Sequence, residues 1–193
     1  GNGASITAVK NGKSVDTSMG LTPLEGIPMG TRSGNIDPTI FGLISKKENK
    51  SIEEILNDLN KKSGYIGFYP ESSDARALRA AQAEGNAKAD LILRMQCKKI
   101  VDYIGSFYAY MGGMDALVFT AGIGEKSPQT RYNVCERLRE AFGIEIDAEK
   151  NQVWGELAVV SKPTSKVAVL VIPTNEELMI AREVMKFKKE LNR

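Results

Sequence analysis

Asp115-Ala116-Leu117-Val118-Phe119-Thr120, running on into Ala121-Gly122-Ile123-Gly124-Glu125-Lys126-Ser127-Pro128, is the stretch whose reading decides the fold. Its first part reads as a short apolar strand, and the glycines predict a tight turn. Ser127 then suits a helix N-cap and Pro128 the first helical position, where a missing N–H does no harm. The helix is expected to run to about Phe142. A second unit of the same kind lies downstream. Val167 to Ile172 is nearly continuous in apolar residues, as expected of a central buried strand, and Pro173 ends it. Thr174 and Glu177 are spaced as a capping box for a last helix reaching about Glu190. Two strand–turn–helix units predict an α/β fold. In open sheets of this class ligands sit beyond the carboxyl ends of the strands, so both turns become candidate sites.

Upstream, Ala4 to Val9 alternates like a strand. Asn11-Gly12 predicts a hairpin turn, because both residues tolerate positive φ, and Ser14 to Thr17 returns. Met19 to Pro38 carries Gly20, Gly26, Gly30 and Gly34 with Pro23, Pro28 and Pro38. So many breakers predict a shaped loop system. Ser51 and Glu54 form a capping box for a helix whose apolar face is Ile52, Ile55, Leu56 and Leu59, with Gly64 as its stop. Asp74 to Glu84 reads as a short helix ended by Gly85. Ala87 to Met111 is the longest periodic segment, with Leu91, Ile92, Met95, Ile100, Ile104, Phe107 and Tyr108 as its apolar surface, and Gly112-Gly113 ends it. Val153 to Ser161 reads as a strand or irregular edge.

Composition narrows the function. The chain has 193 residues, 26 Lys+Arg against 24 Asp+Glu, and a formal charge of +2. The signs are interleaved, which leaves no polycationic face for nucleic acid. Histidine is absent, which excludes a His-based triad, zinc site or general base from within these residues. Cys97 and Cys135 have no zinc spacing and read as two reduced thiols. No apolar run approaches a bilayer span, so no membrane partner and a cytoplasmic location are expected. The sequence opens at Gly1-Asn2-Gly3 without an initiator Met, and the expectation is a start inside a longer polypeptide.

Five groups could carry chemistry. Gly1-Asn2-Gly3 lets backbone amides approach phosphate oxygens, or is a plain turn. Gly122-Ile123-Gly124-Glu125 leaves room for a nucleotide, or is a structural turn; it is neither a dinucleotide fingerprint, since Ser127 stands where a third glycine belongs, nor a P-loop, since no Gly-Lys-Ser/Thr follows. Glu176, free of the capping box, could hold Mg2+ or be a first-turn helix charge. Arg32, in Gly30-Thr31-Arg32-Ser33-Gly34, could present its donor fork to a phosphoryl group or be a surface arginine, and Asp37 could act beside it as a metal-side acid or orienting partner. Ser72-Ser73-Asp74-Ala75-Arg76 could cap a helix and meet a sugar or base.

Taken in order, these segments resemble the acetate kinase family. The resemblance rests on Gly1 to Ser5, Lys10 to Gly20, Thr22 to Gly26, Met29 to Pro38, Phe119 to Glu125 and Ile172 to Glu177, and it covers essentially all 193 residues. It implies the C-terminal half of a two-domain enzyme. The fold implied is the C-terminal domain of the sugar kinase/Hsp70/actin (ribonuclease H-like) ATPase type, a mixed central sheet flanked by helices, with the N-terminal domain absent. The family's phosphate loop reads His-Leu-Gly-Asn-Gly, of which Gly1-Asn2-Gly3 remains.

The resemblance further implies reversible transfer of the ATP γ-phosphoryl group to acetate, giving ADP and acetyl phosphate by direct in-line attack. Asn2 and Gly3 would lie beside the phosphates and Arg32 at the transferring group. Asp74, Ala75 and Arg76 would contact the adenosine, and Gly122, Ile123, Gly124, Glu125 and Lys126 would form the nucleotide loop. Glu176 would hold Mg2+, or Mn2+ in its place. Lys126 replaces the family's usual Asn, Tyr69-Pro70-Glu71 replaces a Ser-Gly-containing segment, and Ala75 stands at a usually bulky position. The implied partners are ATP, acetate or acetyl phosphate, the missing N-terminal half, and a second copy in a homodimer, with the Ala87–Met111 helix partly interface. The acetate pocket would lie in the missing half, so these 193 residues alone are expected to lack full activity. The alternatives are a propionate or butyrate kinase, with Thr22-Pro23-Leu24-Glu25-Gly26 favouring acetate or propionate, and a non-catalytic nucleotide-binding or dimerisation module.

Overall fold

The chain begins with a hairpin, β1 (Thr7–Lys10) and β2 (Lys13–Thr17), in a computed structural model that describes residues 3–191. Asn11 and Gly12 adopt φ of 52° and 73°, the paired left-handed values of the expected tight turn. The segment from Ser18 to Thr39 contains neither helix nor strand. Helices α1 (Ile40–Glu48), α2 (Ile52–Lys61), α3 (Gly64–Phe68), α4 (Ala75–Ala83) and α5 (Ala87–Met111) follow. Then come β3 (Ala116–Phe119), α6 (Ala121–Glu125), α7 (Pro128–Phe142), a 3-10 turn at Lys150–Gln152, β4 (Ala158–Val159), β5 (Ala168–Val171) and α8 (Glu176–Leu191).

The second sheet is mixed. Its order is β3-β5-β4, with β5 in the centre, parallel to β3 and antiparallel to β4. Val169 and Val171 of β5 are fully buried, as a central strand requires. Against this sheet pack α5 and α7. Ile100 and Ile104 from α5, and Val134, Cys135 and Leu138 from α7, join Phe119, Val169 and Val171 in one core. Each large aliphatic side chain so buried contributes about 1.5–3 kcal/mol. A smaller cluster of Tyr65, Leu78, Ile92 and Leu93 joins α3, α4 and α5. The long helix α5 serves both, because its buried residues recur at helical spacing along 25 residues. Burial raises the thiol pKa of both cysteines, and that of Cys135 is pushed up to about 12. Neither thiolate is therefore available at neutral pH.

Several expectations are corrected. The Ser51/Glu54 capping box forms, but only Ile55 and Leu59 of the expected α2 face are buried; Ile52 and Leu56 are exposed. Gly64 does not stop α2. It opens α3 at φ +61°, a helix with no side-chain cap to announce it. Helix α1 also went unanticipated: it has no side-chain cap and buries no residue. In α5, Leu91 and Met95 are exposed, whereas Ile92, Ile100, Ile104 and Phe107 are buried. Gly122 to Gly124 form the middle of a one-turn helix rather than a bare turn. The Thr174/Glu177 box does not form. Asn175 Oδ1 accepts from Leu178 N at 3.0 Å and caps α8, while the Thr174 hydroxyl is engaged across the sheet edge.

Candidate functional site

Arg32 is carried by a loop that the backbone itself holds in shape. Three carbonyls in a row accept from the chain around the start of α3: Met29 from Tyr65 N at 2.9 Å, Gly30 from Ile66 N at 3.1 Å, and Thr31 from Ser63 N at 3.0 Å. The Thr31 hydroxyl donates to Asn60 O, and buried Gln96 reaches from α5 to donate to Pro28 O at 2.9 Å. Asn35 completes the frame, accepting from Gly26 N and donating to the Tyr103 hydroxyl. Two glycines make this packing possible. A Cβ on Gly34 would lie 2.6 Å from Gly26 O, and one on Gly64 2.1 Å from Met29 O. Sequence reading missed Gly64, Asn35 and Gln96 as parts of this site, because what they contact is backbone from a distant segment.

The loop delivers the Arg32 guanidinium to Gly3. A Cβ there would stand 3.2 Å from Nη1, so the glycine leaves room for the arginine. Nη1 also donates to Pro23 O at 3.4 Å and lies 3.6 Å from Met29 Sδ. Among the described residues no carboxylate lies within ion-pair distance of Arg32. A half-buried cation without a carboxylate partner, beside a glycine, is suited to an anion. Asn2, expected alongside, lies outside the described residues. Asp37 takes no part here: its carboxylate accepts from Thr39 N and Oγ1 in a local turn before α1, and these bonds hold its pKa below the usual value.

Parallel β3 and β5 end side by side, with Phe119 opposite Val171, so the segments that follow emerge at one edge. Thr120 Oγ1 and Thr174 Oγ1 meet at 2.9 Å, and Ala121 N donates to Thr174 Oγ1 at 3.1 Å. Ala121 is held at φ 54°, a left-handed value uncommon for a residue with a Cβ. The next two glycines serve different needs. A Cβ on Gly124 would come within 3.1 Å of the Phe119 carbonyl carbon, a tight contact against β3. A Cβ on Gly122 would meet nothing within 4 Å. Ile123 is half-buried, Glu125 is buried and Lys126 is exposed.

Arg131, from the first turn of α7, is fully buried and braces this loop. It donates to the carbonyls of Gly124 (2.7 Å), Glu125 (3.0 Å), Asn151 (2.6 Å) and Val153 (2.8 Å), and to Asn151 Oδ1 (2.7 Å). No motif announced it, since an arginine in a helix reads as a surface charge.

Asp74 caps α4 by accepting from Arg76 N at 2.8 Å, and the Arg76 guanidinium returns to the same carboxylate at 2.6 Å. This side-chain bond, then the backbone one, holds the Asp74 pKa below its usual value. Ala75 is the first residue of the helix and half-buried. One turn on, Arg79 donates to Thr130 Oγ1, which also bonds Ser127 Oγ at 2.8 Å. These contacts tie the helix bearing Asp74 and Arg76 to the residues directly after the Gly122–Lys126 loop.

Glu176 is the first residue of α8 and is exposed. Among the described residues no three His, Cys, Asp or Glu side chains gather as a metal cage. Glu176 therefore offers a single exposed carboxylate. Magnesium dehydrates reluctantly and is commonly held by one or two carboxylates together with substrate phosphates and water.

The architecture is a mixed α/β sheet flanked by helices, its loops gathered at the carboxyl edge of a parallel strand pair. The chain belongs to the acetokinase family, whose profile matches residues 1–182. It is 55% identical to acetate kinase of Acholeplasma laidlawii over 190 residues, 98% of this chain and 48% of that protein. It is also 55% identical to acetate kinase of Treponema denticola over 189 residues, 98% of this chain and 47% of that protein. Among solved structures it superposes on Porphyromonas gingivalis acetate kinase with a TM-score of 0.90 at 46% identity, covering 96% of this chain and 46% of that one. A propionate kinase from Francisella tularensis gives 0.87 at 44% identity, covering 94% and 46%. The chain thus spans about half the length of the relatives it matches. Among the described residues no helix is long and apolar enough to cross a membrane.

Proposed function

We propose that this chain is the C-terminal, nucleotide-binding half of a kinase that transfers the ATP γ-phosphoryl group reversibly to acetate. The observation that carries the reading is the Arg32 guanidinium, without a carboxylate partner among the described residues, set beside Gly3 on a loop fixed by consecutive backbone bonds. Phosphoryl transfer asks little covalent chemistry of a protein; alignment and neutralisation of the equatorial oxygens dominate. Arg32 takes the transferring group, and Asn2 and Gly3 line the phosphates. The loop Gly122, Ile123, Gly124, Glu125 and Lys126, with Asp74, Ala75 and Arg76, receives the nucleoside. Glu176 holds Mg2+ or Mn2+, which when bound neutralises phosphate charge. Acetate or acetyl phosphate binds against polypeptide beyond these residues. Helix α8 supports that part of the reading, since it buries no residue and leaves Ile180, Val184 and Phe187 exposed. The protein works in the cytoplasm as a homodimer. The likeness to a propionate kinase keeps propionate as the second acyl substrate to be tested.

The test is titration of a fluorescent ADP analogue against the chain, with a hydroxamate assay on acetate, propionate and ATP. Binding without turnover is expected. Absence of nucleotide binding, or turnover at ordinary kinase rates from these residues alone, would overturn the reading. The two glycines of the loop give a sharper outcome. Gly122→Ala, whose Cβ points into open space, is expected to weaken nucleotide binding about tenfold with an unchanged urea midpoint. Gly124→Ala is expected to lower that midpoint, through a stability loss of about 1–3 kcal/mol from crowding against Phe119.

A further inference from the structure

We propose that Glu125 is a positioning residue that locks the loop after β3 to the loop after β5, so that nucleotide and metal binding are coupled through one hydrogen bond. The inference rests on the nucleotide reading above and deepens it.

Glu125 is 8% exposed, and among the described residues no cation lies within ion-pair distance of it. A buried carboxylate is unfavourable unless it is hydrogen-bonded. Its Oε2 accepts from Thr174 N at 3.0 Å. Thr174 is the hub of the sheet edge, holding Thr120 and Ala121 through its hydroxyl, and it stands two residues before Glu176. The backbone of Glu125 is fixed as well, since its carbonyl accepts from Arg131 Nη1 and from Gly155 N at 3.1 Å. A carboxylate anchored in this way transmits the position of α6 directly to the start of α8. It thereby sets the distance between the loop that receives the nucleoside and the start of α8.

The bond requires an acceptor at the reach of a glutamate, and it does not require a charge. Glu125→Gln keeps the acceptor and removes the charge. Glu125→Asp keeps the charge and withdraws the acceptor by one methylene. Binding of the fluorescent ADP analogue is measured with and without Mg2+ for both variants and the unsubstituted chain, after circular dichroism shows each to be folded. The readout is the ratio of metal-free to metal-bound dissociation constants, a coupling that is commonly about fivefold or more. The expected result is a ratio near one for E125D and a retained ratio for E125Q. A merely structural role would weaken both constants alike and leave the ratio intact. E125D with the original ratio, or E125Q without it, would overturn the proposal. An unsubstituted chain that binds no nucleotide would instead overturn the reading beneath it.

Discussion

Gly64→Ala is expected to unfold the chain at markedly lower urea, with a loss of about 3 kcal/mol or more. Two effects add. The residue sits at φ +61°, where a Cβ strains the backbone. That Cβ would also stand 2.1 Å from Met29 O and 2.4 Å from Arg32 O. Those atoms belong to main chain already bonded to Tyr65 N and to Met29 N, so the obstacle cannot rotate away. The segment carrying Arg32 must move, and nucleotide affinity is expected to fall along with stability. Gly85→Ala separates the two effects. Gly85 has φ +86° but nothing within 4 Å of an added Cβ, so only backbone strain applies, about 1 kcal/mol. Equal losses from the two substitutions would show that the contact with the Arg32 loop contributes nothing.

Arg131→Met carries the second large expectation, a loss of about 3–5 kcal/mol measured by denaturant titration. Methionine fills much of the volume, so the effect isolates the guanidinium. Its removal takes a donor from the carbonyls of Gly124, Glu125, Asn151 and Val153, of which Glu125 keeps a second donor in Gly155 N. A buried acceptor left without a partner costs about 1–3 kcal/mol. Arg131→Lys is expected to recover only part of the loss, because a single ammonium cannot reproduce the planar fork that reaches both the loop after β3 and the segment around Asn151. The exposed Arg139, also on α7, supplies the control: replacing it is expected to shift stability by under about 0.5 kcal/mol.

Neither Gly64 nor Arg131 was marked by the sequence as part of the site. What could be read from the amino acids was local. Asn11-Gly12 specified its turn, Ser51 with Glu54 its helix start, and Ser127-Pro128 the opening of α7, because each signal acts within four residues of itself. Helix α5 ran from Ala87 to Met111 as its periodicity and Gly112 required. Val167 to Ile172 was apolar enough to demand the sheet centre. The ordered run of glycine-rich segments was specific enough to identify the family, which the profile over residues 1–182 bears out.

Tertiary structure decided the rest. Thr174 and Glu177 had the spacing of a capping box, yet the threonine hydroxyl found Thr120 and Ala121 on the neighbouring strand's loop, and Asn175 took over the cap. A hydroxyl chooses among partners by distance, and sequence spacing reports only the near ones. Gly64 looked like a helix stop because glycine tolerates left-handed φ. The packing of Met29 to Arg32 against it determined that it opened a helix instead. Those contacts are between backbone atoms, which every residue possesses, so no side-chain pattern encodes them. Arg131 wore the appearance of a surface charge on a helix, and Glu125 that of one more member of a nucleotide loop. Only the folded chain, by burying them against main-chain partners from distant segments, turned them into the frame of the site.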